Sequence, residues 1–158
     1  MRILETLVLA QNQRIFEDLS KGLSLGYTDT FDFPVYRLEL APQLVVLFYV
    51  ISPELKVEKL LLNSILPHII GVLMVSNRDS FDDMKFPQGM VEEVEKMLET
   101  VVSILAIENS ENWNEQLPDY IYEKGLFLSE RGRLLFWNKE DAESTLQIWK
   151  VAFRKLLR

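Results

Sequence analysis

Asp79, Asp82 and Asp83 crowd one short stretch of the chain, and His68 is its only histidine. Carboxylates this close supply oxygen ligands for a hard cation, but these lack the ligand spacing and the glycine of a calcium loop. An acidic turn that starts a helix, with Ser80 and Asp83 as a capping pair, accounts for them better. His68 follows Pro67 between two apolar stretches and reads as a structural or loop histidine rather than a general base, since no triad can be assembled around it. Cysteine is absent, which excludes disulfides, thiolate catalysis and cysteine metal sites and favours a reducing compartment. A cytoplasmic location, with no metal and no cofactor, is the expectation. Two further groups invite attention. Tyr27, Phe31, Phe33 and Tyr36 place four aromatic rings in ten positions, either over the core or outward as a partner surface. Lys150, Arg154, Lys155 and Arg158 gather at the end of the chain, where cations suit a helix carboxyl terminus.

The composition limits what these residues can belong to. With 158 residues, 48% of them hydrophobic and 11% aromatic, the chain has the material for one domain with one core. A net charge of −7 argues against a phosphate-tracking surface, so nucleic acid is not expected as a partner. Glu5 interrupts what would be the apolar part of a signal peptide. The longest apolar stretch, Leu60 to Val75, is broken by Asn63, Ser64, Pro67 and His68, so no transmembrane segment is expected.

Short β-rich runs alternate with amphipathic stretches. Ile3 to Leu9 reads as a strand, and Ile15, Phe16, Leu19 and Leu23 then recur at helical spacing. Phe33 to Leu40 and Leu44 to Ile51, joined by Ala41-Pro42-Gln43, predict a hairpin of an outer strand and a buried one. Ser52-Pro53-Glu54 carries the signals of a helix start, with Leu55, Leu61, Leu62 and Ile65 on the buried side and Pro67 as the stop. Ile69 to Val75 is a strand. From Pro87, a helix presents Met90, Val91, Val94, Met97 and Leu98 on one face. Val101 to Ile107 is the next strand, and Asn112 with Glu115 resembles a capping box for a helix ending near Gly125. Trp113, Tyr120 and Tyr122 fall on that helix, whose amphipathic pattern accounts for them. Leu134 to Trp137 precedes a terminal helix striped by Leu146, Trp149, Ala152, Phe153 and Leu156. Right-handed crossovers between these strands predict an α/β fold in three layers: a mostly parallel six-stranded sheet with one antiparallel edge strand and helices on both faces.

This order of elements resembles that of the Ras-like small GTPases, especially the bacterial and archaeal gliding-motility branch that works with Roadblock-type partners. Ile70-Gly71-Val72-Leu73-Met74-Val75-Ser76-Asn77 is similar to its fourth strand. Leu134 to Ser144 is similar to its last strand and the loop into its last helix, and Phe33 to Pro53 to its hairpin and the start of switch two. The family's phosphate loop reads G-x-x-x-x-G-K-[ST], because glycines let backbone amides approach phosphates, the lysine neutralises them and the hydroxyl holds magnesium. Here Asn12 and Gln13 stand at the lysine and hydroxyl, with no glycine nearby. Where switch two carries D-x-x-G and a water-positioning glutamine, this chain has Ile51, Glu54 and Leu55. For the guanine-reading N-K-x-D it has Glu108-Asn109-Ser110-Glu111, with an acid nearly in place. Asn138 and Lys139 occupy the last base-contacting loop, where Asn138 and Asp141 serve equally as helix caps.

The resemblance therefore implies a pseudo-GTPase: a protein-interaction or regulatory module without GTP hydrolysis, paired with a Roadblock-type protein or a true small GTPase, in homo- or hetero-oligomers. An atypical nucleotide-binding GTPase that uses Asn12, Gln13, Glu111 and Lys139 is the alternative. An unrelated receiver-like signalling domain is another, since a doubly wound fold does not specify function.

Overall fold

The structure, a computed structural model, describes residues 1–28, 32–55, 59–77, 86, 88–108 and 132–158. It contains a seven-stranded sheet in the order β2-β3-β4-β1-β5-β6-β7. The strands are β1 (Arg2–Ala10), β2 (Gly26–Thr28), β3 (Val35–Ala41), β4 (Leu44–Ile51), β5 (Ile69–Asn77), β6 (Val102–Glu108) and β7 (Gly132–Trp137). β1 lies at the centre, parallel to β4 on one side and to β5 on the other, and β5, β6 and β7 continue in parallel. The apolar runs at β1, β4, β5 and β6 are nearly continuous because both faces of these strands are covered, as a parallel sheet requires.

Among the described residues, four helices cover the sheet: α1 (Gln13–Leu19), α2 (Lys59–Ile65), α3 (Gln88–Met97) and α4 (Ala142–Leu156). On one face Phe16 and Leu19 of α1 join Ile148, Trp149 and Ala152 of α4 over Val8, Val46, Phe48 and Leu73. On the other, Leu62 and Ile65 of α2 and Val94 of α3 pack with Leu7, Leu9, Ile51, Val72 and Leu105. Alternate residues of each strand thus feed opposite cores.

The expectation of six strands is corrected to seven. β2 pairs antiparallel with β3, so β3 is the one reversed strand and lies inside the sheet, while β2 forms the edge. Gly26, Tyr27 and Thr28 are too few to show a period of two, which is why the pattern did not mark them. The helix expected from Ser52 is likewise corrected: Ser52 to Leu55 make a turn in which the Leu55 amide donates to the Ser52 carbonyl at 3.1 Å. The Ser52 hydroxyl donates to the Glu54 carboxylate at 3.3 Å instead of capping a helix. α1 also stops at Leu19, before Leu23, where the Ser20 hydroxyl takes the Phe16 carbonyl at 2.7 Å. Pro67 ends α2 as expected, within a short 3-10 turn, Leu66–His68. The capping pair Ser80 and Asp83, Asn112 with Glu115, and Gly125 lie outside the described residues.

Candidate functional site

In an open α/β sheet, ligands bind beyond the carboxyl ends of the strands, where the chain reverses its direction of winding. Here that point lies beside β1. The connection through α1 leads to the β2-β3-β4 side, whereas β4 leads across β1 to β5. The sheet brings Ile51, Asn77, Glu108 and Asn138 to this carboxyl edge together with Gln11 and Asn12. Register pairs Leu9 with Ile51, Ala10 with Val75, Asn77 with Glu108, and Glu108 with Trp137.

The junction of β1 and α1 is the decisive local geometry. Only Gln11 and Asn12 separate the two elements. The Gln11 amide donates to the Val75 carbonyl at 3.0 Å, and its side-chain carbonyl accepts from the Asn77 amide at 3.1 Å. Gln11 therefore stitches β1 to β5 across the crevice. Asn12, in extended conformation, accepts from the Ile15 amide at 2.9 Å and caps α1. Where a phosphate loop leaves backbone amides open to an anion, the Gln11 and Ile15 amides are here bonded within the protein. Gln11 was not singled out from the sequence, although a polar pair ending an apolar strand was the available signal.

The other candidate pocket residues differ in their surroundings. Ile51 is buried and Leu55 packs against the core, so neither offers oxygen to a cation. Glu54 is exposed. Glu108 is buried at the end of β6. Asn138 accepts from the Glu140 amide at 2.9 Å, and Asp141 accepts from the Glu143 amide at 3.1 Å as the cap of α4. The Ser144 hydroxyl accepts from the Asn138 amide at 2.9 Å, closing that loop on itself. Lys139 is exposed beside it. Glu111 lies outside the described residues. Among the described residues, no cluster of three or more His, Asp or Glu side chains is placed to hold a metal ion.

The aromatic group divides. Phe33 and Tyr36, offered as partner surface, are buried: Phe33 stands edge-on to Tyr49, with ring centres 5.9 Å apart, and Tyr36 packs on Phe16 at 5.0 Å. Their side chains complete the two cores where β3 would otherwise leave the sheet uncovered. Tyr27 is 55% exposed and rests on Tyr36 at 5.2 Å. Phe31 lies outside the described residues. Gln13, whose expected place was in a phosphate pocket, donates to the Tyr36 hydroxyl at 2.8 Å, which in turn donates to Glu17 at 2.9 Å. Burial and the Glu17 carboxylate push the Tyr36 hydroxyl up to about 12, against the opposing effect of Gln13. Burial, with Glu5 as hydrogen-bond partner, likewise raises the Tyr49 hydroxyl. Gln13, Glu17, Tyr27 and Tyr36 line an open groove of about 670 Å³ between α1 and the β2 edge, flanked by Arg14, Asp18 and Lys21.

No family model matches the chain, and no curated protein matches it. Among solved structures, it is similar to the cytosolic domain of the FeoB iron transporter of T. maritima in its apo form. That match has a TM-score of 0.55 at 8% identity and covers 98% of this chain. The chain spans 64% of the length of that relative. At this identity the similarity shows the fold alone, a mixed α/β sheet with helices.

Proposed function

We propose that this chain is a GTPase-like domain retained as a protein-interaction module, a pseudo-GTPase that neither cradles nucleotide phosphates nor hydrolyses GTP. The observation that carries the reading is the β1–α1 junction, where the side-chain oxygens of Gln11 and Asn12 accept from the Asn77 and Ile15 amides. Phosphoryl transfer depends on positioned charge around the phosphates and magnesium, and apolar Ile51 at the end of β4 supplies none. By the resemblance set out above, the partner is a Roadblock-type protein or a true small GTPase, met in the cytoplasm. The groove beside Tyr27 is the face offered to it.

Thermal unfolding with and without magnesium and GTP, GDP or ATP tests the reading. A ligand at a hundred times its dissociation constant stabilises the native state by about 2.7 kcal/mol. In a chain of this size that raises Tm by roughly 5–10 °C. The expected result is no shift. A specific rise with a guanine nucleotide would favour the atypical nucleotide-binding reading and overturn this one.

A further inference from the structure

Among the described residues, the end of α4 carries a group of cations with no ion-pair partner. Lys150 and Arg154 are exposed one turn apart on α4, and Arg158, also exposed, follows just beyond its carboxyl end. Arg133, exposed on the outer strand β7, stands close enough, with Arg158, to act on Lys155; partial desolvation and these two guanidiniums hold the Lys155 ammonium below its ordinary value. Among the described residues, none of these five cations has a carboxylate within 4.0 Å, and the ion pairs lie elsewhere, at Asp18–Lys21, Arg37–Glu39 and Glu93–Lys96. Glu140, Asp141 and Glu143 sit at the opposite end of α4. A concentration of like charge on a chain of net −7 calls for an anionic partner.

Two large apolar side chains flank the cations along the chain. Leu146, in α4, and Leu157, at its carboxyl cap, are each 42% exposed. Leucines among cations along a helix are the pattern of one that lies in a lipid interface.

We propose that the outer face of α4, with Arg133 of β7, docks on an anionic lipid bilayer, the cations meeting headgroup phosphates and carboxylates while Leu146 and Leu157 enter the acyl boundary. The surface lies apart from the β1–α1 junction, so the proposal stands whether or not nucleotide binds. Co-sedimentation of the full chain with vesicles tests it, phosphatidylcholine alone against phosphatidylcholine with phosphatidylserine, at low and high salt. The expected result is binding to the mixed vesicles only, lost at high salt. Arg154→Glu with Arg158→Glu should lower the bound fraction about tenfold or more, with an unchanged circular dichroism spectrum. The milder pair Lys150→Gln and Arg154→Gln should give a smaller loss and serves if the reversals disturb folding. Leu157→Ser, with all cations intact, should weaken vesicle binding severalfold while leaving binding to soluble polyglutamate unchanged. Failure of the native chain to bind mixed vesicles at low salt overturns the proposal. So does equal binding by the charge variants, or a Leu157→Ser variant that binds as the native chain does; the last result, with tight polyglutamate binding, points to an acidic protein instead.

Discussion

Replacing Asn12 by alanine removes the carboxamide that accepts from the Ile15 amide, and a cap of this kind is worth about 1 kcal/mol. Urea unfolding of Asn12→Ala should show a loss of that size. Asn12→Asp should retain most of the stability, since a carboxylate accepts the same bond. Tyr36 makes a second residue-scale prediction. Its hydroxyl ionises at about 12 in the folded protein against an ordinary value of 10.0, so the unfolded chain releases that proton first. The stability this contributes is complete below pH 10 and is lost as pH rises towards 12. Tyr36→Phe should flatten part of the alkaline decline in unfolding free energy, with Tyr49 accounting for a further part in the same direction. A variant whose profile overlays that of the native chain would refute the assignment. At neutral pH the same substitution should cost about 0.5–1.5 kcal/mol, through the lost bonds to Gln13 and Glu17. The residue types were plain in the sequence, but the bonds between Gln13, Tyr36 and Glu17 join α1 to β3 and needed the fold.

At the scale of elements, α4 is fastened by Trp149. Its ring is fully buried, stands edge-on to Phe48 with centres 5.5 Å apart, and its indole nitrogen donates to the Leu19 carbonyl at 2.9 Å. Trp149→Ala should destabilise by about 3–5 kcal/mol in denaturant unfolding, because the cavity at the junction of α1, α4 and the sheet cannot close. Gly71 allows α4 to approach β5: a Cβ there would lie 2.5 Å from a methyl carbon of Leu156. Gly71→Val should therefore cost about 1–3 kcal/mol, and pairing it with Leu156→Ala should recover part of that loss. The stripe of Trp149, Ala152 and Leu156 was legible as a helix from its spacing. The start expected at Ser52 was not reliable, because the same Ser-Pro-Glu signals serve a turn when the hydroxyl bonds to Glu54.

Across the whole molecule, β1 is covered on both faces and paired on both sides. Hydrogen exchange should therefore be slowest at the amides of Leu7 to Leu9, opening only with global unfolding, and fast at the β2 edge around Tyr27. Comparable rates at the two places would contradict the strand order. The sequence by itself determined the strands at β1, β4, β5 and β6, the hairpin and the terminal helix, because burial on two faces or along one stripe leaves a periodic record in residue type. By the resemblance set out above, it also implied that the glycines, the lysine and the aspartate of a phosphate and magnesium site are replaced. Only the tertiary structure decided that β2 forms the edge, that Phe33 and Tyr36 point into the cores, and that Gln11 and Asn12 close the turn after β1. Those outcomes depend on which distant backbone groups meet: Val75 and Asn77 reach Gln11 across the sheet, and no local pattern encodes a partner that far along the chain.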